Sequence, residues 1–229
     1  MKNVLITGAN GNLGQAVTTL FLERGYNVIA TVAKEESKAE LPPHNNLHIA
    51  VVDLIDEEKT TSFVQDLIST HKNIDAALLL VGGFAMGDLK STSINDIKKQ
   101  LALNFDTAYN VTHLLFPHML ERGTGRIVFI GSRPALQAAA GKGLIAYSLS
   151  KSLLFKLAEY LNEEAKGKNV TATVVVPSTI DTAPNRKSMP NANPDNWVKP
   201  EALAEILEFI VSEKGTPLRE TVLKVYNNA

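Results

Sequence analysis

The chain of 229 residues contains no cysteine. That absence excludes disulfides, thiolate nucleophiles and zinc–thiolate sites, and it fits a reducing compartment such as the cytoplasm. A surplus of either charge is missing too: 23 basic against 24 acidic side chains leave a formal net charge of −1. With no basic excess and no block of like charges, nothing in the composition recruits nucleic acid. No apolar run approaches the ~18 residues that a membrane span needs. The first apolar stretch, Val4-Leu5-Ile6, breaks at once into Thr7-Gly8, unlike a secretory leader, so a cytoplasmic protein working away from membranes is expected. The five histidines (His44, His48, His71, His113 and His118) show no metal-ligand spacing, and no metal is expected. A G-x-S-x-G hydrolase elbow is absent as well.

What is present is a regular alternation. Short apolar runs at 4–6, 28–32, 47–52, 76–81, 127–130, 171–176 and 221–226 read as strands. Segments with apolar residues at helical spacing lie between them, at 13–24, 57–69, 93–120, 147–164 and 200–212. The charged stretch 34–40 reads as a loop or short helix, and the proline-rich stretch 181–200 as a long mobile loop. The run 76–81 is apolar on both faces, which suits the centre of a parallel sheet. The pattern predicts one α/β domain over residues 1–229, a doubly wound parallel sheet of about seven strands with helices on both faces. In such sheets ligands bind beyond the carboxyl ends of the strands.

The residues with chemical potential fall at those ends. Gly8-Ala9-Asn10-Gly11-Asn12-Leu13-Gly14 joins the first strand to the first helix. Glycines there let the backbone turn tightly and approach a pyrophosphate, whose charge rests on the helix N-terminus. An acid at the end of the second strand would favour NAD through a ribose hydroxyl. This chain has Val32-Ala33-Lys34 instead, so the expectation leans to NADP over NAD, although Lys34 can also be a plain solvated loop residue. Asp53, ending the third strand, either accepts from an adenine amino group or caps the next turn. Gly82-Gly83 after the fourth strand either admits a cofactor or forms a plain turn. Tyr147 and Lys151 are four apart on a helix and so share a face. An ammonium beside the phenol would lower its pKa and make it a general acid/base near neutral pH. Ser132, after the fifth strand, can hydrogen-bond a substrate oxygen, or it is a capping serine. Asn104 is either a residue that bends its helix and holds a water or an ordinary surface asparagine.

Taken together, these motifs resemble the short-chain dehydrogenase/reductase family. Thr7-Gly8 with Gly11 and Gly14, Asp53-Leu54, Asn104, Ser132, Tyr147 with Lys151, and Pro177…Thr182 occur in that family's order across essentially the whole chain. The resemblance implies a Rossmann-type three-layer αβα sandwich that binds NAD or NADP. It implies Tyr147 as general acid/base, Lys151 lowering its pKa and holding the nicotinamide ribose, Ser132 polarising a carbonyl, and Asn104 keeping a relay water. It also implies cofactor contacts from Val81, Pro177, Ile180 and Thr182, and a homodimer or homotetramer built on the helices near 104–120 and 147–164. Residues 183–199 would form a lid over a small-molecule substrate. Val81-Gly82-Gly83-Phe84 and the segment 181–190 followed by Trp197 resemble the dihydropteridine reductase group. That group usually has an acid at the end of the second strand and lacks the serine and asparagine. A quinonoid pterin and an unrelated carbonyl are therefore both expected substrates, with a non-catalytic dinucleotide sensor as the rival from another class.

Overall fold

The computed structural model describes residues 1–228. Its strands are β1 (Asn3–Thr7), β2 (Asn27–Val32), β3 (Leu47–Val51), β4 (Ala76–Leu79), β5 (Thr124–Ile130), β6 (Asn169–Pro177) and β7 (Val222–Val225). They form one parallel sheet in the order β3-β2-β1-β4-β5-β6-β7. Successive side chains on a strand point to opposite faces, so each strand feeds two cores. Leu5, Ala77, Leu79, Ile127, Phe129 and Val174 face one side. Val4, Ile6, Ala76, Leu78, Val128 and Val175 face the other.

The first face is covered by α2 (Glu57–His71), α4 (Thr107–Arg122) and α7 (Ile145–Glu164), through residues such as Val64, Leu115, Met119 and Leu154. The second is covered by α1 (Asn12–Glu23) and α9 (Pro200–Val211), through Val17, Phe21, Leu203 and Leu207. The chain runs outward from β1 to β3 and then returns to β4. The crevice between β1 and β4 is therefore the switch point at which such sheets bind ligands. No helix among the described residues is long and apolar enough to cross a membrane.

Two stretches differ from the expectation. The region 93–120 is not one regular helix. It comprises α3 (Ile94–Leu101), a π-helical turn over Ala102–Asp106, and α4, which carries Pro117 within it and runs on to Arg122. Asn104 lies within that turn. The stretch 181–200 is not a bare loop. It holds the short helix α8 (Ala183–Ser188) and a 3₁₀ turn at Pro194–Asn196. Thr182 caps α8 by accepting from Asn185 N, and Asp181 takes a two-pronged hydrogen bond from Arg186 at 2.6 and 2.8 Å. Between them lie the very short α5 (Arg133–Leu136) and α6 (Ala138–Gly141), which lead from β5 into α7.

Candidate active site

The turn after β1 depends on its glycines. Gly8 sits at φ +64°, a conformation side chains disfavour, and a Cβ on Gly14 would lie 2.2 Å from Gly8 O. Gly11 N donates to Gly8 O at 3.0 Å. Gly11 caps α1 with no side-chain hydrogen bond, and the first turn of α1 carries no acid. Its free N–H groups thus meet whatever anion approaches. Thr7 Oγ1 accepts from Leu80 N at 3.0 Å and so fixes the end of β4 beside the turn.

A cleft of about 290 Å³ opens here, lined among others by Gly8, Asn10, Gly11, Val32, Asp53, Leu54, Val81 and Gly82. These come from four strand ends, and their convergence follows from the sheet order. Asp53 carries out the capping reading: its Oδ1 accepts from Ile55 N at 3.1 Å. The carboxylate nonetheless stays exposed on the cleft wall. Not every candidate gathers there. Asn12 faces a larger open groove of about 610 Å³ between α1 and α9, which holds none of the catalytic candidates. Leu13 and Gly14 pack into the start of α1, behind the turn. Lys34 is exposed, in extended backbone, with no ion pair among the described residues. Asn10, by contrast, has the Glu40 carboxylate 3.5 Å from its amide.

Beside Gly82, at the edge of the cleft, stands the second group of candidates, beginning with Asn104 and Lys151. Asn104 is fully buried, so the surface reading fails. Its side chain pairs with the Gly83 backbone in both directions: Gly83 N donates to Oδ1 at 2.9 Å, and Nδ2 donates to Gly83 O at 3.0 Å. The same amide reaches Gln100 Oε1 at 2.9 Å and Ser150 Oγ at 3.1 Å, and Ser150 Oγ in turn donates to Tyr147 O at 2.8 Å. Asn104 therefore ties the Gly82-Gly83 segment to the helix that carries Tyr147. Gly82 needs its missing side chain, since a Cβ would lie 2.7 Å from Asn104 Oδ1 and 2.9 Å from Lys151 Nζ. Gln100 and Ser150 escaped notice in the sequence. The available signal was spacing: Gln100 stands one helical turn before Asn104, and Ser150 one turn after Tyr147.

Lys151 is buried, and its Nζ donates to Ile130 O at 2.8 Å. Burial pushes its pKa down to about 8. Burial raises the Tyr147 phenol above its ordinary value, and the Ser132 hydroxyl works against that rise. The Lys151 ammonium is turned to Ile130 O and Gly82. Ser132 is 5% exposed. Its hydroxyl lies near enough to the phenol to affect its pKa, yet completes no hydrogen bond of good geometry among the described residues. Pro177 closes β6. Ile180 pairs with Val198 and accepts from Asn185 Nδ2 at 2.8 Å, and Thr182 begins α8, so these three frame the segment leading to the expected lid.

Residues 2–193 match the family model of the short chain dehydrogenases. The chain belongs to this family of oxidoreductases. It is similar to dihydropteridine reductase of Dictyostelium discoideum, 26% identical over 97% of this chain and 94% of that one. It is equally similar to acetoacetyl-CoA reductase of an Acinetobacter species, 26% identical over 98% and 96%. Among solved structures, a short chain dehydrogenase/reductase family oxidoreductase of Burkholderia thailandensis superposes with a TM-score of 0.85 at 25% identity, over 98% of this chain and 90% of that one. The structure described as ElxO with NADP bound superposes at 0.88 with 22% identity, over 98% and 96%, a likeness of fold.

Proposed function

We propose that the protein is an NAD(P)H-dependent reductase that delivers hydride to a carbonyl carbon or to a quinonoid pterin-like ring, and that it favours NADPH. The observation that carries this reading is Ser132. A buried hydroxyl without a complete hydrogen bond is costly unless a ligand supplies the partner. This one stands beside a phenol, at the same end of the sheet as a cleft whose opening turn fits the pyrophosphate of a dinucleotide. The fit rests on the open N-terminus of α1, the φ +64° turn at Gly8 and the absent side chain at Gly82.

Gly8, Asn10, Gly11, Val32, Asp53, Leu54, Val81 and Gly82 would hold the dinucleotide along the cleft, with Pro177, Ile180 and Thr182 at the nicotinamide end. Bound there, the reduced nicotinamide supplies the hydride. Ser132 Oγ orients the substrate heteroatom. Tyr147 Oη donates the proton that heteroatom gains as the substrate accepts the hydride, and solvent restores it. Burial keeps the phenol protonated, the form a general acid needs. Lys151 Nζ, beside Gly82, would take the ribose hydroxyls. Asn104 holds Gly83 and so positions the segment between cofactor and substrate.

Val32 in place of an acid, with the exposed Lys34 nearby, supports NADPH. The pterin substrate is supported by the Dictyostelium relative. A carbonyl substrate unrelated to pterins is supported by the Acinetobacter relative and by the Ser132–Asn104 pair. One domain, a cytoplasmic setting, a lid formed by residues 183–199 and a homo-oligomer complete the proposal. The test is oxidation of NADPH and NADH with quinonoid dihydropterin and with a 3-ketoacyl thioester, wild type beside Tyr147→Phe. Turnover in the wild type should fall at least about a hundredfold in the variant, with NADPH affinity kept within about twofold. Absence of turnover with either substrate, while NADPH still binds, would favour the dinucleotide sensor instead.

A further inference from the structure

We propose that Arg133 is a specificity-determining residue whose guanidinium takes an oxyanion of the substrate, a carboxylate or a phosphate ester, so that the carbonyl compound reduced is an anionic one. The proposal rests on the reductase reading and adds the charge of the substrate it takes.

The chain has six arginines, and five of them are spent within the fold. Arg24, Arg122 and Arg186 each hold a carboxylate, of Glu205, Asp75 and Asp181. Arg126 and Arg219 give an Nη nitrogen to backbone carbonyls. Arg133 differs. Its Nε donates to Gln137 Oε1 at 3.1 Å, and among the described residues Nη1 and Nη2 have neither a hydrogen bond nor an ion pair.

The side chain is nonetheless held in place. Its Cζ lies 5.2 Å from the centroid of the Tyr226 ring, a cation–π contact. Tyr226 is fastened in turn, since its carbonyl accepts from Ser178 Oγ at 2.7 Å and Ser178 N donates to Val225 O at 3.0 Å. Both partners of the guanidinium, an amide oxygen and a ring, are uncharged, so its full positive charge stays uncompensated. A half-buried planar fork with one side fixed and the Nη edge open matches the two oxygens of a carboxylate or phosphate.

The place of this fork assigns its ligand to the substrate. Arg133 directly follows Ser132, so their Cα atoms are about 3.8 Å apart. Its side chain reaches over Tyr226 beside Ser178, which follows Pro177 at the end of β6. The guanidinium thus spans the strand ends that flank the proposed substrate position. The surroundings share its sign. The stretches 131–144 and 178–199, which follow β5 and β6, carry five cations (Arg133, Lys142, Arg186, Lys187 and Lys199) against two acids (Asp181 and Asp195), in a chain whose net charge is −1. Asp181 is already committed to Arg186. Lys142 and Lys187 are exposed point charges on flexible stems, suited to drawing an anion in, whereas Arg133 is suited to fixing it.

Three pairs of ketones differ in charge at similar size: 2-oxopentanoate and its amide, 4-oxopentanoate and its amide, and hydroxyacetone phosphate and hydroxyacetone. Their affinities for the protein saturated with NADP⁺ can be measured by ligand-observed NMR without turnover. In the wild type at least one anion should bind about tenfold more tightly than its neutral counterpart, the scale of a charge-assisted hydrogen bond, and the pair that shows it distinguishes carboxylate from phosphate. Arg133→Gln should bring that ratio to within about twofold of unity, and Arg133→Lys, which keeps the charge without the fork, should lower it about threefold. Lys142→Gln and Lys187→Gln should each leave it within about twofold, as expected of exposed charges. NADP⁺ affinity should stay within about twofold in Arg133→Gln, which also reports that the variant is folded. No anion preference in the wild type, a preference that survives Arg133→Gln, or a parallel loss of NADP⁺ affinity in that variant would each overturn the proposal. Because binding is read without reaction, failure of the reductase reading would register separately, as absent NADPH oxidation.

Discussion

Lys151 carries its charge where the surroundings oppose it. With burial holding its pKa at about 8 against an ordinary 10.5, the unfolded chain binds the proton more tightly than the folded one. The stability this removes is missing in full below pH 8 and returns as pH rises from about 8 toward 10.5. Tyr147 acts in the opposite sense. Its folded pKa lies above the ordinary 10.0, so its contribution is present below pH 10 and is lost as pH rises through the folded value. A net gain in stability is therefore expected between about pH 8 and 10. Lys151→Met should flatten that gain and raise stability at pH 7.5 by about 2 kcal/mol, after allowing for the lost hydrogen bond to Ile130 O. Urea unfolding of both proteins at pH 7.5 and 9.5 checks it. The same variant should turn over poorly, since the proposal gives Lys151 the ribose. A residue kept against stability is expected at a functional site.

Among the elements, the π turn between α3 and α4 decides most. A regular helix over 93–120 would carry Asn104 on a path set by its neighbours. The inserted residue lets the side chain reach across to Gly83 instead, and π turns of this kind recur at functional sites. Removing the amide by Asn104→Ala leaves the Gly83 N–H and C=O without their partner. A stability loss of about 2 kcal/mol is expected. The specific readout is hydrogen exchange: the Gly83 amide should lose protection, along with those of 102–106. An unchanged Gly83 amide would show that the clamp contributes nothing. The short helix α8 teaches a related lesson at the other wall. Its two-pronged ion pair and threonine cap give local order to a stretch whose prolines suggested none.

On the scale of the whole molecule, the sheet is closed on both faces, yet α7 leaves an apolar stripe outside. Leu149, Leu153 and Tyr160 are exposed and recur at i, i+4 and i+11, which places them on one side of the helix. On α4 the exposed Tyr109 stacks between Phe105 and His113. Two apolar faces on helices that cover the same side of the sheet support the proposed homo-oligomer. Analytical ultracentrifugation of Leu149→Glu/Leu153→Glu should show a smaller species than the wild type, with the circular dichroism of the fold retained. A wild-type monomer would end that reading.

The sequence by itself determined the order of the elements, the parallel sheet and the turn at Gly8 to Gly14. Apolar periodicity and glycine spacing are local properties that survive without knowledge of the fold. It also picked out Tyr147 and Lys151 as a pair, because one helical turn is fixed geometry. What it did not hold was how distant segments meet. Ser132, fifteen residues before Tyr147, comes close enough in the folded protein to act on its phenol. Asn104 reads equally well as a surface residue in the sequence, and only its burial against Gly83 decides its role. Such contacts arise from the packing of α3, α7 and the segment after β4 around one sheet end. Only tertiary structure sets those distances, because burial and hydrogen-bond partners depend on neighbours in space rather than along the chain.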